Sequence, residues 1–205
     1  MTHSIPRDHR SWSEYDADRF VEILRATAPG PTLAIVGIDG RGGAGKSTLA
    51  YQLAAGCSGT AVVHTDDIAW HHSFFGWDSM LATNVLQPVR AGRLPISFTP
   101  HAWVEHNRTG AITVPPETTL LLVEGTGSTR RSLTAYYHAT IWVDADHDTA
   151  MARLHDRDKD PPGFIDDWMT EENALLSSDQ PWTYATFQVS GTHSGHQGRL
   201  VVRST

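Results

Sequence analysis

The chain has 205 residues, 40% hydrophobic and 19% charged, which suits a single domain with a sizeable core and disfavours wholesale disorder. Sixteen basic and 23 acidic residues leave a net charge of −7, which argues against a general nucleic-acid binder but permits a local basic site. The lone Cys57 excludes an internal disulfide framework and a cysteine-rich zinc site.

No apolar run approaches the ~18 residues of a membrane helix. The first residues carry Arg7, Asp8, Arg10 and Glu14 and lack the apolar segment of a signal peptide. The expectation is a soluble, cytoplasmic protein without membrane or nucleic-acid partners. Trp12, Tyr15, Phe20, Ile23 and Leu24 recur near helical spacing, predicting a helix from Trp12 to Ala28 capped by Ser11 or Ser13. Pro29-Gly30-Pro31 ends it, so residues 1–31 read as an N-terminal helical extension. Thr32 to Ile38 is a short, β-branched apolar run, consistent with a buried strand.

A glycine-rich loop follows that run: Gly40-Arg41-Gly42-Gly43-Ala44-Gly45-Lys46-Ser47, then Thr48. It fits G-x-x-x-x-G-K-[ST] at every fixed position, between a predicted strand and a helix from Lys46 to about Ala55. Glycines let successive N–H groups turn toward phosphate oxygens, and the helix N-terminus adds its positive dipole end. Lys46 would reach the β- and γ-phosphates, and the Ser47 hydroxyl would ligate Mg²⁺. The pattern points to a nucleoside triphosphate with Mg²⁺ but does not separate kinase, GTPase and motor.

Ala61 to Thr65 is a second strand, leading into Asp66 and Asp67. Ser79 to Ala91 reads as a helix capped by Asp78 and kinked or shortened at Pro88. Residues 94–116 carry four prolines and read as loop. Thr119 to Glu124 and Ala139 to Val143 are strands, and helices run from His147 to Arg157 and from Ile165 to Leu176. Late strands cover Ala185 to Val189 and Leu200 to Arg203. Alternating strands and helices predict an α/β fold: a three-layer sandwich with a mostly parallel, five-stranded sheet.

Carboxylates at strand ends lie where open α/β sheets place ligands. Asp66, Asp67 and Glu124 could hold Mg²⁺, and one near the γ-phosphate could take a proton from a hydroxyl. The alternative for the aspartates is a helix or turn cap. Arg153 and Arg157 are four apart and share a face, which suits a phosphate clamp on a lid over residues 153–180 or a solvated basic face. His71 and His72 lack the spacing of a metal site, and His193 and His196 read as incidental.

The segment Ile38 to Thr48 resembles the uridine kinase-like P-loop kinases, a group that includes phosphoribulokinase and pantothenate kinase. Asp66-Asp67-Ile68 resembles that family's Asp-x-Phe segment, and Val123-Glu124-Gly125 its Glu-Gly segment. Thr149 to Asp158 resembles its lid with both arginines, and Trp77-Asp78 with Pro88 to Gly92 the region before the acceptor loop. Trp103 to Arg108 is similar to the loop in which uridine kinases contact their nucleoside. The resemblance spans residues 32 to about 191. It implies Asp66 as catalytic base, Mg²⁺ held by Ser47, Asp66 and Glu124, and ATP held by Gly40, Gly42, Gly43, Ala44, Gly45, Lys46, Ser47 and Thr48. It also implies catalytic roles for Lys46, Arg153 and Arg157. The acceptor, a small-molecule hydroxyl, would sit among Trp70, Trp77, Trp103, His106 and Arg108. Departures are His101-Ala102 in place of the family's Tyr-Asp, Ile68-Ala69 in place of an aromatic pair, and no counterpart of the aspartate that holds ribose hydroxyls.

The expected function is ATP-dependent phosphoryl transfer to a nucleoside or nucleoside-like metabolite. The alternatives are a regulatory NTPase, or a kinase for a sugar or pantothenate-like alcohol. A GTPase would carry an Asn/Thr-Lys-x-Asp segment, and none is present. Self-association is common in the family and is a further expectation.

Overall fold

The computed structural model describes residues 11–30, 32–156, 163–193 and 195–205. Strand β1 (Ser13–Tyr15) and helix α1 (Ala17–Arg25) precede β2 (Ala34–Gly40), the glycine loop and α2 (Lys46–Ala55). Then come β3 (Thr60–His64), α3 (Thr65–Ala69) and a helical run of α4 (Asp78–Leu81), a π-segment (Ala82–Leu86) and α5 (Gln87–Arg90). A hairpin of β4 (Ile96–Phe98) and β5 (Ile112–Val114) carries α6 (His101–Glu105) in its connection. The chain ends with β6 (Leu120–Glu124), β7 (Ala139–Asp144), α7 (His147–Asp156), α8 (Phe164–Asp179), β8 (Phe187–Ser190) and β9 (Leu200–Ser204).

The main sheet has seven strands in the order β1-β9-β8-β7-β2-β6-β3. The five from β8 to β3 are parallel, and β9 and β1 add an antiparallel edge. The expected five strands are therefore the parallel part, and the sheet is wider than expected. β1 is the larger correction, because Ser13–Tyr15 falls inside the expected first helix. It pairs with β9 at the far end of the chain, and the Arg203 guanidinium lies 4.8 Å from the Trp12 ring centre. The helix starts only after Asp16.

Period-two alternation splits each central strand between two cores. Val36, Ile38, Leu120, Leu122 and Ile141 pack with Phe20 and Leu24 of α1 and Leu49 and Leu53 of α2. Ile35, Leu121 and Val123 face the other way, onto Ile68, Trp77, Leu81 and Val85. The result is three layers. Pro88 does not break its helix. The π-segment directly before it widens the turn where a proline ring would strike the carbonyl of residue 84. The hairpin escapes the sequence reading because its three-residue strands lie among prolines.

β2 lies at the centre, with β6 and β3 on one side and β7 and β8 on the other. The carboxyl ends of the parallel strands, at Gly40, His64, Glu124, Asp144 and Ser190, therefore line one edge. Asp39, next to the end of β2, is fully buried. It accepts from the amides of Gly40 (2.7 Å), Gly127 (2.8 Å) and Thr129 (3.0 Å) and from the Thr129 hydroxyl (2.9 Å). Burial raises the pKa of its carboxyl above the ordinary value, and these bonds oppose the rise. Three of the four donors are amides that cannot accept, which favours the ionised form.

Replacing Asp39 by alanine leaves three amides without their acceptor, and should cost about 3 kcal/mol or more. The readout is a lower urea midpoint at unchanged slope; a wild-type midpoint would refute this role.

Candidate functional site

The glycine loop is shaped by backbone angles that side chains resist. Gly43 and Gly45 have φ of +74° and +101°, and a Cβ at Gly43 would lie 2.0 Å from the Ala150 carbonyl oxygen. Gly45 leads directly into α2, whose first-turn N–H groups, from Lys46 to Thr48, have no partners earlier in the helix. Lys46 Nζ donates to the Arg41 carbonyl (2.9 Å) and to Thr126 Oγ1 (3.1 Å), and Thr126 in turn donates to the Gly40 carbonyl.

Sheet register brings Glu124 between Ile38 and His64. Ser47 Oγ donates to Glu124 Oε1 at 3.1 Å. His64 Nδ1 is 2.5 Å from the same oxygen, and this bond raises the imidazole pKa against the opposing effect of burial. The sequence reading missed His64, since only strand register reveals its neighbour. Asp66, in the first turn of α3, opens to the cleft although protein surrounds most of it. That desolvation pushes its carboxyl up, Glu124 and Asp67 add to the rise, and Lys46 and His64 oppose it. Asp67 points elsewhere: its carboxylate pairs with Arg108, and its carbonyl accepts from Trp103 Nε1 at 2.8 Å. The two neighbouring aspartates thus have different surroundings.

The Ser47 hydroxyl and the Asp66 and Glu124 carboxylates are hard oxygen donors of the kind Mg²⁺ takes beside substrate phosphates. Among the described residues, no group of three or more His, Cys, Asp or Glu is placed to hold a metal by itself. A site completed by phosphate oxygens fits that donor set.

On the other side of the loop, Arg153 Nη1 donates to the Gly191 carbonyl at 2.8 Å. Arg157 lies outside the described residues. A cavity of about 420 Å³ opens between Gly45, Thr48, Arg153, Gly191 and His193. Gly191 packs against the loop so closely that a Cβ would lie 2.1 Å from the Ala44 carbonyl oxygen.

Of the expected acceptor residues, Trp70, His106 and Arg108 come together. His106 stacks on His71 with centroids 4.0 Å apart, Trp70 meets both edge-on, and Arg108 lies 5.1 Å from the Trp70 centroid. Trp103 is 4% exposed and lies beneath Arg108, 3.7 Å from ring centroid to guanidinium. Trp77 is a correction. It is 1% exposed, donates to the Phe74 carbonyl and is covered by Arg130, so it is a core residue with no face for a ligand.

Helix α8 closes the site from above. Its Trp168 ring lies against Gly42, where a Cβ would come within 2.6 Å. Glu172 Oε1 accepts the Gly42 N–H at 2.7 Å, and Arg41 Nη1 donates to Asn173 at 2.9 Å. Phe164 and Trp168 also reach Phe74 (5.3 Å) and Phe75 (5.9 Å) between ring centroids. The sequence reading gave Trp168 and Glu172 no role, although their four-residue spacing marks one helix face.

No family model matches this chain. No curated protein matches it either. Solved structures do. A possible uridine kinase from Bacillus stearothermophilus aligns over 83% of this chain and 95% of its own, with a TM-score of 0.55 and 18% identity. A proposed fructose transport system kinase from Silicibacter sp. TM1040 aligns over 80% of this chain and 88% of its own, with a TM-score of 0.51 and 18% identity. The chain has the fold of the uridine kinase-like P-loop kinases. In that fold the glycine loop of this chain joins β2 to α2. Among the described residues, no helix is long and apolar enough to cross a membrane.

Gly42→Ala should drive a methyl into the Trp168 ring and destabilise the protein by about 1–3 kcal/mol, as overpacking does. Thermal melting measures this, and an unchanged Tm would show that the ring yields freely.

Proposed function

We propose that this protein is a phosphotransferase that moves the γ-phosphate of ATP to a hydroxyl of a small molecule, a nucleoside or nucleoside-like metabolite. The observation that carries this reading is the meeting of Lys46, Ser47 and Glu124 at the ends of β2 and β6, with Asp66 in electrostatic reach. Lys46 and the first-turn amides from Lys46 to Thr48 would bind the β- and γ-phosphate oxygens. The Lys46 contacts to Arg41 and Thr126 keep the ammonium beside the loop for that purpose. Mg²⁺, held by Ser47, Asp66 and Glu124 together with phosphate oxygens, supplies charge neutralisation when bound.

Asp66 takes the proton from the attacking hydroxyl. It is the carboxylate that opens to the cleft near Lys46, whereas Asp67 is committed to Arg108. Arg153, with Arg157, neutralises charge on the transferring group. The cavity between the loop and Gly191 suits the nucleoside part of ATP. The acceptor lies on the other side, against Trp70, His106 and Arg108, whose flat faces favour a ring-bearing molecule. One observation favours a second acceptor class. The Asp67–Arg108 pair uses the carboxylate nearest the acceptor side, leaving it poorly placed to hold a ribose diol, which supports a sugar or pantothenate-like alcohol.

ATP consumption with a panel of nucleosides, sugars and pantothenate-like alcohols tests the reading. Little turnover alone and one phosphorylated product per ATP with the right acceptor are expected. Hydrolysis that no acceptor stimulates would instead indicate a regulatory NTPase.

Asp66→Asn should lower kcat by about 10²-fold or more while sparing nucleotide binding, as loss of a general base does. Because the base works only when ionised, wild-type activity should fall on acidification as Asp66 takes up a proton, and the variant should lose that limb. Full activity of Asp66→Asn with an inactive Asp67→Asn would move the base by one position.

A further inference from the structure

One peptide unit in the phosphate loop is held from both ends. The carbonyl of Arg41 accepts Lys46 Nζ at 2.9 Å, and the N–H of the same Arg41–Gly42 peptide donates to Glu172 Oε1 at 2.7 Å. A peptide is planar, and its C=O and N–H point in opposite directions. Whatever orients the N–H therefore orients the carbonyl, and with it the lysine ammonium. We propose that Glu172 is a positioning residue for Lys46, acting through the Arg41–Gly42 peptide plane and tying helix α8 to the group that contacts the transferring phosphate. The inference rests on the phosphotransferase reading, which itself gives Glu172 no part.

The surroundings support a built contact. Glu172 is 4% exposed, and its second oxygen lies 3.6 Å from Arg41 Nη1. Arg41 also bonds Asn173, the next residue of the helix, and the Trp168 ring seals Gly42 one turn earlier. An acidic side chain in a phosphate site is unfavourable for binding an anion. Holding the peptide is a task that accounts for one being there. The same helix reaches the acceptor side through Phe74 and Phe75, so a shift of α8 would be felt at Lys46.

The test is calorimetric titration of MgATP into wild type, Glu172→Ala, Glu172→Asp, Glu172→Gln, Lys46→Met and the Lys46→Met, Glu172→Ala double variant. Alanine removes the acceptor, and aspartate keeps the charge but withdraws it by one methylene. Each should weaken binding about tenfold, the scale of one hydrogen bond to a charged group. Glutamine keeps an acceptor oxygen and should stay within about threefold of wild type. If Glu172 acts through Lys46, adding Glu172→Ala to Lys46→Met should change affinity by less than about twofold. Asn173→Ala loosens the same helix without touching the peptide and should stay within about twofold of wild type.

Several results would overturn the proposal: wild-type affinity in Glu172→Ala or, if that variant fails to fold, in Glu172→Asp; multiplying effects in the double variant; an equal loss in Asn173→Ala; or glutamine as damaging as alanine. Those results leave the phosphotransferase reading standing. A wild-type chain that does not bind MgATP would overturn both.

Discussion

The Asp39 carboxylate must find all its partners inside the protein, and it finds them on two separate segments. An ionised group this deeply buried is tolerated only when surrounding donors replace the water it has lost. Gly40 supplies one donor at the start of the glycine loop; Gly127 and Thr129 supply three from the segment after β6. The demand of one charge thereby fixes the distance between the two segments that build the cleft floor. Thr126, within the second segment, then bonds both the Gly40 carbonyl and Lys46. Glu124, which opens that segment, meets Ser47 and His64. The geometry proposed for phosphate binding follows from satisfying this buried ion.

Around that point the cleft divides in two. One side is built of backbone: glycines, helix amides and the close packing of Gly191 on Ala44. The other side is built of side chains: Trp70, His71, His106 and the Arg108–Asp67 pair. Helix α8 touches both, through Glu172 and Trp168 on the loop and through Phe164 and Trp168 on the aromatic segment. The protein is acidic as a whole, yet Lys46, Arg108 and Arg153 gather at this edge. A global charge therefore says little about a site that the fold concentrates.

Much of this was legible in the sequence where the cause is local. The glycine loop could be read because its glycines answer to steric limits within a few residues and its Lys-Ser pair follows at fixed spacing. The central strands could be read because both of their faces are buried, so apolar runs such as Leu120 to Val123 are continuous. Errors fell where a distant partner decides. Trp12 and Tyr15 have helical spacing, but pairing with β9 makes that stretch a strand. The family resemblance of Trp77-Asp78 puts Trp77 among the acceptor residues. Its position in the second core makes it a structural residue instead. The β4–β5 hairpin is too short to outweigh its prolines without the core that covers Ile96, Ile112 and Val114.

The amino-acid sequence alone determined the class of fold, the glycine loop and the acidic positions at strand ends, because each depends on contacts within one turn or one strand. Tertiary structure decided which of the two aspartates pairs with Arg108. It also placed His64 beside Glu124, Asp39 beneath the loop and Glu172 on the Gly42 amide. These depend on strand register and helix docking between residues separated by 60, 88 and 130 positions. No local spacing encodes such contacts; they exist only once the hydrophobic cores have chosen how the elements pack.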